Sequence, residues 1–345
     1  LRDPQFAWQV PEDGEYRLEI RDLEGGQRPK DSRNYSLAVQ PQQPHFQLLA
    51  YPRYPSNNPA TASSRAANIM RGGTASIDIL VSRKSGFSDA IEITLENLPA
   101  GVSAAPIVIP ASLNHSSATM VCTGDAPVGH SSGSVVGRSS GDSANTAQAQ
   151  VGTVLWPGTP THNAVQCRIT SQLFVSVMPV DIAPLYAELG GPETLEVAQG
   201  GKLSIPVTLT RREGGQAACL MRPQQLPPQV TLPEFTIAAD KSEGTAEISV
   251  GESVPLGEFS FWLQNETKIK WRENPQALAR AEAQVNKLNE ALKNQAKDKA
   301  DQPATEAALA QAKQRVEALK QSTAEKEITV WFPTSNQRVR VIPKS

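Results

Sequence analysis

The sequence is poor in charge and in aromatic residues, and it has no long hydrophobic run. Of its 345 residues, 20% are charged and 5% are aromatic. The 33 basic and 35 acidic side chains nearly cancel, which argues against a protein that holds nucleic acid by a strongly basic surface. No run approaches the roughly 18 apolar residues of a membrane-spanning helix. We therefore expect neither a nucleic-acid partner nor a membrane span in this chain.

Cysteine is scarce as well. The three cysteines, Cys122, Cys167 and Cys219, cannot all pair with one another within one chain. Their spacing fits neither a zinc ribbon nor a CxxC motif. We interpret them as buried free thiols in strands, because an unpaired cysteine packs like a small apolar side chain.

Residue types that carry catalysis are not arranged in a recognisable motif. The sequence has no GxSxG nucleophile turn. The four histidines fall in turn or loop segments, outside the HxH and HExxH spacings of metal sites: His45, His115, His130 and His162. We therefore assign no catalytic, cofactor-binding or metal-binding residue, and we predict a protein that is not an enzyme and binds no cofactor.

Glycine and proline, in contrast, are abundant, with 23 and 27 residues. Such a composition disfavours an all-helical protein and favours many short strands joined by tight turns. The sequence is therefore predicted to be mainly β.

An internal repeat organises much of the chain. Turn motifs recur 128 positions later: Gly72-Gly73 as Gly200-Gly201, Leu98-Pro99 as Leu226-Pro227, and Pro127-Val128-Gly129 as Pro255-Leu256-Gly257. Strand residues between the turns keep the same offset: Ile77, Ile79, Val81 and Arg83 match Ile205, Val207, Leu209 and Arg211. A constant offset over so many positions indicates two copies of one β module.

Each copy has the pattern of an immunoglobulin-like β-sandwich. In the first copy, residues 75–82 and 91–95 alternate between apolar and polar side chains, as strands buried on one face do. Short strands divided by turns about every 8–12 positions are typical of this fold. The segment 130–147 is rich in serine, glycine and alanine, and it is predicted to be a flexible loop.

Residues 1–40 contain two further strand candidates, 15–21 and 35–39. In the first, Tyr16, Leu18 and Ile20 alternate with charged residues. The segment 13–22, together with Asn34-Tyr35-Ser36-Leu37, resembles the last strands of the bacterial pre-peptidase C-terminal domain, a small β-sandwich attached to secreted peptidases and to large envelope proteins.

The rest of the chain resembles the C-terminal region of planctomycete proteins that contain this domain. There the domain is followed by immunoglobulin-like modules, and the matching residues here are Gly72-Gly73, Gly86-Phe87 and Leu98-Pro99-Ala100-Gly101-Val102. The resemblance implies a secreted, periplasmic or cell-surface protein, and the pre-peptidase domain is itself non-catalytic in its family. The chain begins Leu1-Arg2-Asp3-Pro4, without an initiator Met or a signal peptide, so we expect a piece of a longer protein.

The composition changes after Lys270-Trp271-Arg272. Apolar or small residues are then spaced alternately by three and four, which predicts helices packed along a seam: Leu278, Ala281, Val285, Leu288 and Leu292, then Leu309, Ala312, Val316, Leu319 and Thr323. Asn274 before Pro275 is a good helix N-cap. A short charged turn near Asp301 predicts an antiparallel helical hairpin within residues 274–325. It is either a projecting arm that docks a partner or a solvated spacer.

A strand pattern resumes at Ile328-Thr329-Val330-Trp331-Phe332-Pro333, so the hairpin is predicted to be inserted within the second sandwich. We interpret residues 151–157 of the first copy as the equivalent strand. That alignment makes Trp156 and Trp331 equivalent core positions.

The sequence thus predicts three parts. Residues 1–43 are the C-terminal part of a pre-peptidase-like β domain, residues 44–180 are the first sandwich, and residues 181–345 are the second sandwich with the hairpin 274–325. The fold class is mainly β, with tandem immunoglobulin-like β-sandwiches and an inserted antiparallel α-helical hairpin.

The function that we expect is a non-catalytic extracellular or envelope region for protein interaction, adhesion or scaffolding, such as the accessory tail of a larger secreted protein. A protein or cell-surface partner would bind, with the hairpin as one candidate docking element. The alternative is a carbohydrate-binding accessory region of a secreted hydrolase or peptidase, because aromatic side chains can form a sugar platform. The aromatic residues weighed for such a platform are Trp156, Trp262, Trp271 and Trp331, which lie in the strand-rich parts of the repeats, and Tyr51, Tyr54 and Trp8, which are less constrained.

Overall fold

The computed structural model describes residues 8–19, 37–39, 43–53, 66–141, 145–155, 166–294 and 302–344. Strands dominate this part of the chain. They form two β-sandwiches in tandem, and the second sandwich carries a pair of helices.

The first sandwich consists of two sheets. Its strands are β1 (His45–Pro52), β2 (Ala67–Arg71), β3 (Thr74–Lys84), β4 (Ile91–Glu96), β5 (Val102–Ala104), β6 (Ile107–Ile109), β7 (His115–Cys122), β8 (Gly129–Ser139), β9 (Thr146–Gln148), β10 (Gln150–Leu155), β11 (Gln166–Thr170) and β12 (Leu173–Ile182). One sheet has the order β11-β10-β1-β3-β7-β5. The other has the order β2-β12-β8-β4-β6, and β9 pairs with β8.

The second sandwich repeats this plan. Its elements are β13 (Leu185–Leu189), β14 (Thr194–Ala198), β15 (Lys202–Arg211), β16 (Cys219–Gln224), β17 (Val230–Thr231), β18 (Phe235–Ile237), β19 (Glu243–Val250), β20 (Gly257–Trp271), α1 (Pro275–Asn294), α2 (Gln302–Ser322), β21 (Lys326–Pro333) and β22 (Gln337–Ile342). The sheets have the orders β13-β15-β19-β17 and β14-β22-β20-β16-β18, and β21 pairs with β20.

The strand order identifies the fold class. The series β1-β3-β7-β5 corresponds strand for strand to β13-β15-β19-β17, and β12-β8-β4 corresponds to β22-β20-β16. A four-stranded sheet of this order, packed on a sheet formed by the intervening strands, is the immunoglobulin-like arrangement. The predicted fold class, tandem immunoglobulin-like β-sandwiches with an inserted helical hairpin, is therefore confirmed.

The predicted 128-residue repeat extends to the backbone conformation. Gly72 and Gly200 have φ angles of 64° and 74°. Gly72 lies in the turn that leads into β3, and Gly200 lies in the turn that leads into β15. Asn97 and Gln225, which are not glycine, share φ angles of 57° and 63°. Because positive φ is rare outside glycine, its recurrence at the same offset shows that the two copies share turn geometry as well as sequence pattern.

A half-buried arginine braces the same loops in each sandwich. The Arg83 guanidinium donates hydrogen bonds to the backbone oxygens of Asp89, Pro110 and Leu113 at 2.6, 3.0 and 3.4 Å. Arg211 donates to the oxygens 128 positions after these, which belong to Ala217, Ala238 and Lys241. Each arginine thus ties three backbone carbonyl groups of its loops to the end of a strand.

Each sandwich has its own hydrophobic core. One cluster of buried side chains runs from Phe46 to Val177, and another runs from Leu185 to Val341. The last strand of the first sandwich, β12, extends to Ile182, two residues past the predicted boundary at 180. Ala183 and Pro184 then lead directly into β13, so only two residues separate the sandwiches.

The helical hairpin lies between β20 and β21 and has the predicted seam. Leu278, Ala281 and Val316 form a small buried cluster against which Val285 and Leu319 pack. The helix α1 begins at Pro275, and Asn274 Oδ1 accepts a hydrogen bond from Ala277 N at 3.2 Å. Asn274 is therefore the N-cap that the sequence predicts.

The segment 130–147 is not a flexible loop in its described part, so that prediction is wrong. Residues 129–139 form β8, a central strand between β4 and β12. Its glycines are required by close packing: a Cβ at Gly133 would lie 2.6 Å from the oxygen of Glu96, and one at Gly137 would lie 2.7 Å from a methyl carbon of Leu48. Small residues here reflect contact with neighbouring chain and not mobility.

The strand predictions in the first forty residues are also wrong where the structure describes them. Residues 8–19 and 37–39 contain no strand, and Tyr16, Leu18, Leu37 and Val39 are exposed. Alternating apolar residues form a strand only where a neighbouring edge accepts their backbone hydrogen bonds. Residues 20–36 lie outside the described part of the chain, and the resemblance to a pre-peptidase domain stays a prediction.

The structure also corrects the alignment of the strand that follows the hairpin. Residues 150–155 form β10, which pairs in parallel with β1, whereas β21 pairs antiparallel with β20. The equivalent of β21 is β9, because Ala149 N donates to Val135 O and Thr334 N donates to Leu263 O in the same register. Trp331 therefore corresponds to Thr146 and not to Trp156, which lies outside the described residues.

Candidate functional site: the cleft between the two sandwiches

The residues that the sequence singled out as chemical groups do not converge. His45, His115 and His130 lie near the starts of three different strands and are exposed, while His162 is outside the described residues. The described part of the chain holds no group of three or more His, Cys, Asp or Glu side chains placed to bind a metal ion.

Two of the three cysteines are free and buried, as predicted. Cys122 lies on β7 and Cys219 lies on β16. Burial raises the pKa of both thiols, which disfavours the nucleophilic thiolate. Cys167 lies on β11, and its side chain is not among those that the structure describes.

The tryptophans do not form a row on an exposed sheet face in the described part of the chain. Trp262 is 1% exposed, and Trp271 and Trp331 are half-buried. Among the described residues of the two sandwiches, Phe174 is the one aromatic residue that is more than half exposed. The platform geometry expected of a sugar-binding sheet is therefore not present there.

The two sandwiches are joined through strands that are buried on both faces. On β20, Phe261 and Leu263 point into the core of the second sandwich, while Ser260, Trp262 and Gln264 on the opposite face are also buried. On β7, Ser117 and Thr119 are as buried as the inward-facing Ala118 and Met120. The strongly apolar stretch of β20 is thus explained by a strand enclosed on both sides.

Side-chain amides of the second sandwich cover the backbone edge of β7. Gln225 Oε1 accepts from Ser117 N at 2.7 Å, and Gln225 Nε2 donates to Ser117 Oγ at 2.7 Å. Asn336 Oδ1 accepts from Thr119 N at 2.6 Å, and Asn336 Nδ2 donates to Ser117 O at 2.9 Å. The partner strand β5 reaches only Cys122 to Met120, so these amides pair the part of the edge that β5 leaves open.

Trp262 completes this junction. Its Nε1 donates to Gln225 Oε1 at 3.0 Å, and the Arg53 guanidinium lies 5.0 Å from the centre of its ring. Arg53 also pairs with Asp78 at 3.1 Å and donates to Gln264 Oε1 at 3.3 Å. A cation that stacks on an aromatic face and pairs with a carboxylate in a largely buried place holds its surroundings firmly.

Further contacts continue along the junction at both ends. Arg212 donates to the oxygen of Gly72 at 2.9 Å, and Arg338 pairs with Glu92 at 2.8 Å. The Ser260 hydroxyl accepts from Val108 N at 2.9 Å. The two sandwiches are therefore connected by hydrogen bonds over a broad face, which fixes their relative orientation more firmly than a two-residue linker could.

A cleft of about 520 Å³ opens beside this junction. The first sandwich contributes the end of β1, the strand β2, the start of β3 and Met178 of β12. The second contributes Leu185, Trp262, Gln264 and residues 330–333 of β21. Its walls come from strands that are far apart in the sequence, and a volume of this size can hold several side chains of a ligand.

The lining of the cleft is mainly apolar. Met70, Met178, Val330 and Trp331 provide flexible and aromatic surface. The two strongly polar side chains at its floor, Arg53 and Gln264, already bond to one another, and Arg53 is neutralised by Asp78. The cleft therefore offers apolar contact and little free charge.

The helical hairpin presents a different surface. Its apolar side chains face one another along the seam, and the large hydrophobic residues that are exposed in the described part of the chain all lie outside α1 and α2. Neither of these helices combines the length and the apolar content that crossing a bilayer requires. The described flanks of the hairpin are polar or alanine-rich, without an apolar stripe.

No protein-family model and no curated protein matches the chain. Solved structures similar to it include the fibronectin(III)-like modules of Clostridium thermocellum CbhA, at 12% identity over 60% of this chain and 84% of that one, with a TM-score of 0.17. The D00-D0 domain of intimin matches at 10% identity over 64% and 92%, with a TM-score of 0.21. Escherichia coli alpha-2-macroglobulin activated by porcine elastase matches at 9% over 90% and 23%, with a TM-score of 0.20.

These identities and TM-scores carry no argument about function. The fold assignment rests on the strand order and pairing described above.

Proposed function

We propose that this chain is a non-catalytic interaction region that binds a protein partner in the cleft between its two sandwiches. The observation that carries the proposal is the cleft itself, an apolar concavity whose walls are held in place by the hydrogen-bonded junction. A site whose walls do not have to be ordered on binding loses less entropy when a ligand enters.

A protein ligand is favoured over a carbohydrate by the chemistry of the lining. Sugars require several hydrogen-bonding groups along with an aromatic platform, whereas the polar side chains at the floor of the cleft are occupied by one another. Apolar side chains of a polypeptide would instead meet methionine, valine and tryptophan surfaces. Carbohydrate binding remains the alternative that the experiment below distinguishes.

The location and wider role follow from the resemblance of the N-terminal residues and of the glycine-rich turns. We place the chain at a bacterial envelope or in the extracellular space, in adhesion or scaffolding. The broad junction supports a scaffolding role, because two sandwiches that are fixed to one another transmit force and orientation as one unit.

The helical hairpin is the second candidate docking element. It extends from the end of the β20–β21 ribbon and could add a partner helix, but its described apolar residues are already buried against one another. We therefore assign the cleft as the principal binding surface and the hairpin as a projecting arm.

The test is selection of ligands from two libraries against the folded chain, one of random linear peptides and one of immobilised glycans. Asn68 lines the cleft and is exposed, so Asn68→Trp should fill the cleft without disturbing a core. Ser103 is exposed on β5, outside the cleft, and Ser103→Trp is the matched control. We expect peptides that bind the unaltered chain and Ser103→Trp but not Asn68→Trp. Binding of glycans alone, or of peptides that ignore Asn68→Trp, would overturn the proposal.

A further inference from the structure

The strand β21 borders the cleft, and among the described strands it is hydrogen-bonded in a ladder to β20, while β3 and β13 pack near it without such pairing. In the part of the chain that the structure describes, β21 pairs with β20 and with no other strand. Its residues 330–333 line the cleft. Its opposite edge therefore runs from the cleft toward the base of the hairpin.

The hydrogen-bond register shows which backbone groups this edge presents. Thr334 N donates to Leu263 O, so the even-numbered residues of β21 direct their N–H and C=O groups toward β20. The odd-numbered residues direct theirs away from β20. Pro333 confirms the alternation, because its carbonyl oxygen accepts a hydrogen bond from Thr74 Oγ1 of the first sandwich at 2.7 Å.

The edge thus offers the backbone donors and acceptors of Glu327, Thr329 and Trp331. Thr329 and Trp331 are half-buried, Glu327 is exposed, and Ile328 between them is 37% exposed. Natural edge strands are commonly blunted by proline, by charge or by a bulge. Residues 328–332 contain neither proline nor a charged residue. The β20–β21 register is continuous from Lys326 to Pro333, so this strand has no bulge there.

The connection that corresponds to β21 has a different structure in the first sandwich. Its ribbon strand β9 is three residues long, and the chain then continues through β10, which adds in parallel to β1 at the edge of the opposite sheet. The second sandwich reaches its last strand, β22, with only residues 334–336 after β21. The first sandwich thus extends a sheet edge with strands of its own, and within the described residues the second has a long ribbon without such an addition.

We propose that the partner segment binds as an added β-strand along the free edge of β21, with side chains of that segment entering the cleft. The ligand is therefore an extended polypeptide segment with alternating apolar side chains. This inference rests on the proposed function and specifies its mode. Strand addition gives affinity through backbone hydrogen bonds, and the adjoining pocket gives specificity through alternate side chains. The bond from Thr74 to Pro333 shows that the cleft end of this edge already accepts an outside donor.

Thr329→Pro is the protein variant that tests strand addition most directly. Proline removes the Thr329 N–H, which points away from β20, so the β20–β21 ladder loses no hydrogen bond. Its ring also obstructs an incoming strand. Thr329→Val is the matched control, because it changes the side chain and keeps the backbone donor. With a peptide selected as above, we expect Thr329→Pro to weaken the dissociation constant at least about tenfold and Thr329→Val to change it about twofold or less.

A second experiment leaves the protein unaltered and removes any dependence on how Thr329→Pro folds. The selected peptide is synthesised with a single N-methyl group at each backbone position in turn. Strand addition predicts that alternate positions lose binding while those between them retain it, since every second N–H of a strand faces the neighbouring edge. Slower amide hydrogen exchange at Thr329 and Trp331 on peptide binding would support the same arrangement.

The outcomes separate the mode from the function. If peptides bind and are blocked by Asn68→Trp, but methylation has no alternating effect and Thr329→Pro binds normally, strand addition is wrong and the cleft remains a peptide site. If no peptide binds the unaltered chain, the proposed function itself fails, and the inference fails with it.

Discussion

The two sandwiches share a frame and differ in what they attach to it. Both have the same order of frame strands, positive-φ turns at the same positions and an equivalent half-buried arginine. Both carry their additions in one place, between the strands β8 and β12 in the first and between β20 and β22 in the second. The first fills that connection with β9, β10 and β11, and the second fills it with α1, α2 and β21. One connection of the fold therefore tolerates very different insertions, because its two ends are fixed by the sheet.

The cores differ in a compensating way. On β8, Gly137 leaves room for Phe46 and Leu48, whose atoms would lie 3.0 and 2.7 Å from an added Cβ. In the second sandwich, the equivalents of Phe46 and Leu48 are the smaller residues Leu185 and Ala187. The equivalent of Gly137 is the larger residue Asn265. Volume is thus conserved while its distribution changes, as dense packing requires.

The largest effect should come from exchanging one of these residues. We expect Gly137→Asn to lower the free energy of unfolding by about 4 kcal/mol, since it overfills the first core and buries an amide among apolar atoms. Urea unfolding measures this. Adding Phe46→Leu and Leu48→Ala should recover part of the loss. A single variant as stable as the unaltered chain would show that the two cores are not packed as described.

The next effect sharpens the contrast between Gln225 and Asn97, which share a turn conformation but not a role. Gln225→Ala should cost about 3 kcal/mol, because the N–H groups of Ser117 and Trp262 lose their acceptor in a buried place. Asn97 is exposed, so Asn97→Ala should cost only about 1 kcal/mol, which reflects the left-handed backbone at this turn and not a lost contact. Calorimetry should show the unfolding of the two sandwiches separating in Gln225→Ala alone. Equal effects of the two variants would contradict the junction.

A smaller effect concerns the insertion that only the second sandwich carries. Asn274→Ala removes the cap of α1 and should weaken the start of the hairpin by about 1 kcal/mol. Asn274→Gly should cost only a few tenths, about 0.3 kcal/mol, because glycine tolerates the φ angle of 50° at this position. Amide exchange in the first turn of α1 measures both. The capping role fails if alanine and glycine behave alike.

The smallest effect is a pH dependence that one tyrosine gives to the second sandwich. Burial, with the charge of Glu188, raises the pKa of Tyr186 to about 12, while the equivalent residue of the first sandwich is Gln47, which does not titrate. The folded chain therefore keeps the Tyr186 proton at a pH where the unfolded chain releases it. Stability from this group is present below pH 10 and is lost as the pH rises toward 12.

Comparing urea unfolding of the unaltered chain with Tyr186→Phe across that range isolates this contribution. Phenylalanine should make the loss of stability less steep. Identical slopes for the two proteins would show that Tyr186 ionises alike in the folded and unfolded states.

Local patterns predicted the repeated frame well. Apolar alternation and the recurring turns located the strands from β3 to β7 and from β15 to β19, and the spacing of Leu278, Ala281 and Val316 located the hairpin. These features depend on residues close together in the sequence. Where the partner of a segment lay elsewhere, the predictions failed. The glycines of β8 suggested a loop because the neighbours that require them, Glu96 and Leu48, are distant in the chain.

The cleft could not be predicted for the same reason. Its walls combine Arg53, Met70, Trp262 and Trp331, which lie on or next to four separate strands. Each of these residues looks ordinary in its own segment. The buried serines and amides of the junction were missed too, and one signal was available: three consecutive large apolar residues on β20, Phe261-Trp262-Leu263, which a strand exposed on one face would not have.

The sequence by itself determined the class of fold, the duplication and the hairpin, because periodicity, turn residues and helix caps act over a few positions of the chain. The tertiary structure alone decided how the sandwiches join, which edge of β21 has no described strand paired with it, and where the cleft lies. Those features depend on side chains from distant strands meeting at one surface, and no short-range pattern records such a meeting.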